Sequence, residues 1–265
     1  MKVATLILLF LSFTFAQFKG WSGWTGWIAD ESSWCEYIFD EDASTVAHWI
    51  LLKDSPDGVT TDVSGNGHTL TAYGGVGSSF DSSPYCGNAV EFDGTDDYYS
   101  NVSDDFQIST DGELTVEVVI KPVYGSPNNE RIISAYPNST ILNRYAIVLV
   151  NDSILQVFWQ DKDNRLLNMP NIDTLQQGQF YYIVATADLG DDEYYVYVNG
   201  SVARYQYYNN HTEILPNHIE IGCEVNNGTP QNFFSGVVVE AIISDKEKTL
   251  NKVQEHWNKI KEKLE

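Results

Sequence analysis

Glu193-Tyr-Tyr-Val-Tyr-Val-Asn-Gly-Ser201 is the stretch that decides the fold. Aromatic and β-branched residues, which suit half-buried strands, fill it up to an Asn-Gly dipeptide. Asn199 and Gly200 supply the positive φ angles that a two-residue turn between antiparallel strands requires. The stretch therefore predicts a β-hairpin.

Similar strand signals extend from this hairpin in both directions along the chain. Apolar or alternating runs occur at 46–52, 89–92, 114–120, 131–135, 145–150, 154–159, 181–187, 194–198, 219–221 and 236–243. Turn dipeptides such as Asp93-Gly94 and Asp111-Gly112 separate them, and no helix-period segment lies between them. This spacing predicts an all-β fold, an antiparallel β-sandwich or jelly roll, and 265 residues can form it as one domain.

The last 21 residues have a different periodicity. From Asp245 onward, apolar residues recur at steps of three and four: Leu250, Val253, Trp257, Ile260 and Leu264. This stripe predicts an amphipathic C-terminal helix over residues 245–265, capped by Ser244 or Asp245 and packed on the sandwich.

The N-terminus predicts export and a separate segment. Residues 1–16 combine Lys2, an apolar run and Thr14-Phe15-Ala16, which is typical of a cleaved signal peptide. Residues 17–42 place a tryptophan at every third position from Trp21 to Trp27, which suits an extended ribbon. That segment could pack on the sandwich, dock a partner or another copy of the chain, or stack against sugars. No later segment is apolar and long enough to span a membrane.

Charge and sequons restrict the partners and the compartment. A net charge of −22 would be repelled by nucleic-acid backbones and anionic lipid surfaces, which argues against partners of either kind. Asn-x-Ser/Thr sequons fit a secreted, extracellular, cell-surface or virion-surface glycoprotein, and they lie at Asn101, Asn138, Asn151, Asn199, Asn210 and Asn227.

Three cysteines, Cys35, Cys86 and Cys223, allow three single pairings. Cys86 and Cys223 both fall within the predicted sandwich, so this pair is the favoured disulfide in an oxidising compartment. Cys35 would then be available to another chain.

Five stretches, in order along the chain, resemble the laminin G-like family, a concanavalin A-like set that includes the pentraxins. They are Thr61-Asp-Val-Ser-Gly-Asn-Gly-His68, Gly87-Asn-Ala-Val-Glu-Phe-Asp-Gly-Thr-Asp-Asp-Tyr98, Leu114-Thr-Val-Glu-Val-Val-Ile-Lys-Pro122, Tyr197-Val-Asn-Gly200 and Phe234-Ser-Gly-Val-Val-Val-Glu240. The resemblance implies a laminin G-like sandwich domain over residues 43–244. It also implies lectin-like or adhesive activity, since members of the family are mostly binding modules. Some members are glycoside hydrolases.

The resemblance further implies a Ca²⁺ site. The positions carried over are Asp62, Asn66, Asp93 and Glu240, because calcium takes carboxylate and carbonyl oxygens from tight turns. Val239 stands where the family pattern has an acidic residue. The alternative is that the Asp62 and Asp93 side chains cap their own turns.

Catalysis has little support in the sequence. Glycoside hydrolysis needs two carboxylates flanking a sugar bond. Glu113 and Glu117 lie four residues apart and share a face of one strand, but Glu117 matches a position of the family pattern that is not catalytic. We therefore expect a secreted, non-enzymatic, lectin-like module that binds a glycan or an extracellular protein at its loops or one sheet face. The alternatives are a structural glycoprotein of a surface layer, filament or virion, and a sandwich glycoside hydrolase.

Overall fold

A computed structural model describes residues 39–53, 58–82, 88–123, 125, 129–137 and 143–264. The predicted signal peptide and most of the tryptophan-rich segment lie outside these residues, as do Cys35, Cys86 and Asn138. The described chain is a stack of two antiparallel sheets with one helix at its C-terminal end. This confirms the predicted all-β sandwich.

The strands are numbered in chain order. They are β1 (Thr45–Ile50), β2 (Thr71–Tyr73), β3 (Phe80–Ser82), β4 (Asn88–Asp93), β5 (Tyr98–Val102), β6 (Glu113–Pro122), β7 (Glu130–Tyr136), β8 (Arg144–Val150), β9 (Ile154–Gln160), β10 (Leu166–Thr174), β11 (Tyr181–Asp188), β12 (Glu193–Val198), β13 (Ser201–Tyr207), β14 (His218–Ile221), β15 (Glu224–Asn226), β16 (Thr229–Gln231) and β17 (Ser235–Ser244). All ten predicted strands are present, each within a few residues of its predicted bounds.

Strands distant in sequence pair in both large sheets. The eight-stranded sheet has the order β13-β12-β11-β6-β17-β4-β3, and β1 also pairs with β17. The seven-stranded sheet has the order β10-β9-β8-β7-β14-β5-β2, and β15 and β16 form a separate two-stranded ribbon. Strand β17 pairs with β4 through its first half and with β1 through its second half, and a register shift against β6 lies between Val238 and Glu240.

The hairpin quoted at the outset forms as predicted. Asn199 and Gly200 have φ angles of 50° and 75°, and β12 pairs with β13 on either side of them. Alternate residues of β12 then face opposite ways. Tyr194 and Val196 enter the core between the sheets, and Tyr195 and Tyr197 face the layer that contains the helix.

The helix, α1 (Leu250–Leu264), covers the outer face of the eight-stranded sheet. Val253 and Ile260 are fully buried there and Trp257 and Leu264 pack beside them, which confirms the predicted apolar stripe except at Leu250, which is exposed. The predicted start and cap were wrong, because the helix begins at Leu250. The hydroxyl of Thr249 accepts the backbone N–H of Lys252 at 3.4 Å. The preceding backbone is held by the sheet instead, since Lys248 N–H donates to the Thr115 hydroxyl at 3.0 Å.

A buried polar contact fixes the helix against β6. His256 Nδ1 lies 2.8 Å from a carboxylate oxygen of Glu117, and the Tyr182 hydroxyl donates to the same oxygen. All three side chains have no measurable exposure. No helix in the described part of the chain has the length and apolar character needed to cross a membrane.

Candidate functional site

A cleft of about 820 Å³ opens at one end of the sandwich, where loops from both sheets meet. Its walls come from the start of β1, the loop after it, the 3₁₀ turn Asp104–Phe106, the turn before β6, the segment before β14 and the end of β17. Hydrogen-bonding side chains dominate these walls. Such a surface suits a ligand rich in hydroxyl or amine groups.

The Asp62 carboxylate holds one wall of the cleft in place. One of its oxygens accepts from the backbone N–H groups of His48 and Ser64, each at 3.0 Å, and from the Ser64 hydroxyl at 2.6 Å. The other accepts from the backbone N–H of His68 at 2.9 Å. Burial opposes ionisation of Asp62, but these hydrogen bonds outweigh it and hold the pKa of the carboxyl below its usual value.

Two neighbouring side chains complete this wall. Asn66 Nδ2 donates to the carbonyls of Thr45 at 2.8 Å and Val46 at 3.0 Å, which ties the loop to β1. Ser103 caps the 3₁₀ turn by accepting the backbone N–H of Asp105 at 3.1 Å. The Asp105 carboxylate lies 3.3 Å from His68 Nε2, so the loop and the turn meet across the cleft wall.

Negative charge dominates the cleft. The carboxylates that line it belong to Asp104, Asp105, Asp111, Glu113, Glu213 and Asp245, and only Lys246 and His68 supply basic groups. Lys246 Nζ lies 3.1 Å from Glu113. Lys162 Nζ lies 2.6 Å from Glu213 and lowers the pKa of that carboxyl. The cleft therefore favours neutral or cationic ligands over anionic ones.

The four predicted calcium ligands do not converge on one site. Asp62 and Asn66 lie together at the cleft wall, where both side chains bind backbone groups. Asp62 also accepts the backbone N–H of Ser64 in its own turn, as the turn-capping alternative expected. Asp93 lies opposite Ser235 on β17. Ser235 and Glu240 are five residues apart on that strand, a distance of about 17 Å at about 3.4 Å per residue, so Asp93 and Glu240 lie at different positions along the sheet.

Glu240 is committed to a buried histidine. One oxygen of its carboxylate lies 2.7 Å from His48 Nε2 and also accepts the backbone N–H of Phe39 at 3.2 Å, while His48 Nδ1 lies 2.8 Å from Glu41. Burial opposes protonation of His48, but Glu240 and Glu41 outweigh it and raise the pKa of the ring. This arrangement anchors the chain that leads into β1.

Asp93 instead groups with two further aspartates of its own turn. Carboxylate oxygens of Asp93, Asp96 and Asp97 lie within 4.8 Å of one another. Asp93 also caps its own turn, because its carboxylate accepts the backbone N–H groups of Thr95 at 2.8 Å and Asp96 at 3.3 Å. Three carboxylates match the oxygen ligands that calcium prefers, and calcium binding to this chain stays a prediction.

The described residues include one of the three cysteines and five of the six sequon asparagines. Cys223 is buried and has no disulfide partner among the described residues, and burial raises the pKa of its thiol. Its predicted partner, Cys86, lies outside the described residues, so the pairing stays a prediction. Asn151, Asn210 and Asn227 are exposed, whereas Asn101 donates its amide to the Thr69 carbonyl at 2.8 Å.

Glu113 and Glu117 are not arranged to cleave a sugar. Glu113 lines the cleft, but Glu117 is fully buried beneath α1 with His256 and Tyr182. Their Cα atoms are four strand positions apart, about 13 Å, and the two carboxyls reach no common space.

A second carboxylate pair, which the sequence reasoning missed, lies around Gly222. Burial raises the pKa of Glu220 well above its usual value. Burial also opposes ionisation of Glu224, but Arg131 and the hydrogen bonds from Tyr136 and Gln231 together outweigh it and lower the pKa of that carboxyl. Opposed pKa displacements are typical of acid–base pairs. Glu220 has no measurable exposure, however, and the Glu224 oxygens accept from four side chains: Arg131, Tyr136, Gln231 and Asn232. The arrangement is that of a structural anchor.

Comparisons with known proteins agree on the fold. A laminin G family model, described as "Concanavalin A-like lectin/glucanases superfamily", matches residues 93–254. No protein with a curated description matches the sequence. Three solved structures illustrate the likeness. The binding domain of botulinum neurotoxin serotype G is 16% identical with a TM-score of 0.62, and the match covers 80% of this chain and 50% of that chain. The binding domain of Paraclostridial Mosquitocidal Protein 1 is 16% identical with a TM-score of 0.64 (81% of this chain and 52% of that chain), and the ligand binding domain of botulinum neurotoxin serotype D in complex with N-acetylneuraminic acid is 12% identical with a TM-score of 0.61 (81% of this chain and 50% of that chain).

The chain spans about half the length of each of these structures. At such low identity the likeness shows the fold, which is a jelly roll of the kind that the sequence predicted.

Proposed function

The chain belongs to the concanavalin A-like lectin/glucanase superfamily, and we propose that it is a secreted, non-enzymatic recognition module that binds a glycan in the acidic cleft. The observation that carries the proposal is the cleft itself. It is large enough for a short oligosaccharide, it is lined by hydrogen-bonding groups, and Asp62 fixes one of its walls.

Charge selects the class of glycan. Six carboxylates in the lining disfavour sialylated or sulfated sugars, so the expected ligands are neutral glycans and amino sugars. The solved structures with a similar fold include a domain described in complex with N-acetylneuraminic acid, an anionic sugar. We infer that this chain instead selects sugars without negative charge.

Binding without hydrolysis is supported by the pairing of the cleft carboxylates. A glycosidase needs one carboxylic acid that stays protonated beside a second carboxylate. Glu113 and Glu213 are each ion-paired with a lysine instead, and the pKa of Glu213 is lowered.

A glycan array with the mature full-length protein tests this proposal. We expect binding to neutral or amino-sugar glycans, and at least tenfold weaker binding by the cleft variants Asp111→Ala and Gln107→Ala. Asp191→Ala, which changes an exposed aspartate outside the cleft lining, is the matched control and should bind as the unmodified protein does.

Two results would contradict the proposal. Folded protein that binds no glycan on the array would refute glycan recognition, and light scattering would then show whether the chain assembles as a structural glycoprotein. Release of new reducing ends from a bound glycan would refute the non-enzymatic role.

A further inference from the structure

Four tyrosines cluster on the outer face of the eight-stranded sheet, at its β12–β13 edge. Tyr195 and Tyr197 lie on β12, and Tyr205 and Tyr207 lie on the edge strand β13. The Tyr195 ring centroid is 4.7 Å from that of Tyr205 and 5.9 Å from that of Tyr197, with the latter pair stacked at 18°. We call these four residues the tyrosine ladder.

Carboxylates fix the ladder from one side. The hydroxyl groups of Tyr195 and Tyr205 each donate to a different oxygen of Glu193, both at 3.1 Å, and the Tyr207 hydroxyl donates to Asp192 at 3.4 Å. Burial and the Glu193 contact raise the pKa of Tyr195 to about 12, so its hydroxyl stays a donor at any physiological pH. The rings are held in place before any ligand arrives.

The fold of the sandwich does not account for the outer rings of the ladder. Tyr205 and Tyr207 are 44% and 53% exposed, which is unusual for large aromatic side chains on a strand. They follow Val202, which is 47% exposed on the same strand. The outer part of the ladder therefore offers ring faces to solvent.

Strand addition at this edge is disfavoured. Arg204 Nη2 donates to the carbonyl of Pro170 at 3.1 Å, which brings β10 against β13. A register shift between Val196 and Tyr197 also distorts the β12–β13 pair. Both features are devices that protect edge strands from pairing with another chain. The ring faces, and not the backbone edge, are what the surface presents.

We propose that the tyrosine ladder is a second glycan site, which binds an uncharged oligosaccharide by stacking pyranose rings on Tyr205 and Tyr207. The proposal rests on the proposed function, because it assumes a glycan-binding module. A pyranose ring presents C–H groups to an aromatic face and hydroxyls at its rim, where Glu193 and Asp192 can accept hydrogen bonds. The same carboxylates, together with Glu247, repel anionic sugars.

Saturation-transfer NMR and calorimetry with the full mature chain test this site. The probes are cellohexaose, mannohexaose and chitohexaose, with sialyllactose as the anionic comparison. We expect Tyr205→Ala and Tyr207→Ala each to weaken binding of at least one neutral probe about tenfold. Tyr205→Phe keeps the ring and should stay within about threefold, and Val202→Ala is the matched control for an exposed, non-aromatic residue of β13.

The outcomes separate this site from the cleft. Loss of binding in Tyr205→Ala, with retention in Tyr205→Phe and in Asp111→Ala, supports the ladder. Binding that is lost in Asp111→Ala but unchanged in both tyrosine-to-alanine variants overturns the ladder and leaves the cleft proposal intact. Failure of every probe to bind folded protein overturns both. A change of oligomeric state in Tyr205→Ala with unchanged glycan binding would assign the surface to a second copy of the chain and overturn the ladder.

Discussion

Glu130, at the start of β7, should make the protein less stable as the pH rises. Its side chain is buried, one oxygen accepts the backbone N–H of Ser235 at 3.3 Å, and the protonated carboxyl can donate to the neighbouring Asp152 carboxylate. Burial, with the nearby carboxylate of Asp152, raises the pKa of Glu130 from 4.5 to about 8. The native state therefore keeps this proton at a pH where the unfolded chain has released it.

The sign and size of the effect follow from this displacement. Between about pH 4.5 and pH 8 the native state binds more protons than the unfolded state, so the free energy of unfolding falls as the pH rises. The full displacement corresponds to about 5 kcal/mol at about 1.36 kcal/mol per pH unit. Solvent screening and local relaxation reduce the expected loss to about 2–3 kcal/mol.

Glu130→Gln tests this reasoning, since glutamine keeps the shape of the protonated carboxyl and cannot ionise. The free energy of unfolding in urea should fall from pH 5 to pH 9 in the unmodified protein. This fall should exceed the fall in the variant by about 2–3 kcal/mol. Asp152→Asn should recover part of this loss, and asparagine tolerates the φ of 64° at that turn position. The exposed Glu262→Gln is the control. Equal pH slopes in the unmodified protein and Glu130→Gln would refute the argument.

Two further substitutions test the packing. Ile260→Ala, in the buried stripe of α1, should lower the free energy of unfolding in urea by about 2–4 kcal/mol because it opens a cavity. Leu250→Ala, at a site 39% exposed, should lower it by less than about 1 kcal/mol. Similar losses in the two variants would mean that the helix does not cover the sheet. Gly222→Ala should cost at least about 3 kcal/mol, because φ is 97° and an added Cβ would lie 2.4 Å from the Phe92 ring. Gly228 also has a positive φ, but a Cβ added there would have no atom within 4 Å, so Gly228→Ala should lower the melting temperature clearly less. Equal losses in the two variants would show that backbone strain, and not the contact with Phe92, sets the cost at Gly222.

The sequence was sufficient for the strands whose side chains are buried. Runs such as 114–120 and 236–243 are mostly apolar because both faces of β6 and β17 are covered, one by the other sheet and one by the layer that contains α1. Their buried carboxylates, Glu117 and Glu240, are each hydrogen-bonded to a histidine. Strands β10 and β13 gave no signal. Most of their residues are exposed, and Pro170 interrupts β10, so only their pairing with neighbours in space makes them strands.

The candidate site was harder to foresee for the same reason. The cleft collects side chains from six separate places in the chain, and no local pattern brings Asp105 beside His68. Nor does the sequence show that Glu240 faces a buried histidine instead of a metal ion. The tyrosines of β12 were visible in the hairpin motif, but their alignment with Tyr205 depends on the strand register.

Asp62 gives the cleft a property that matters for the thermodynamics of recognition. A single carboxylate ties two segments together, β1 at His48 and the loop after it at Ser64 and His68. The wall is thus already in its binding conformation in the free protein, and a ligand need not order it. Association should therefore be fast and show little induced change, with selectivity set by what fits the rigid surface and not by which conformations a loop can reach.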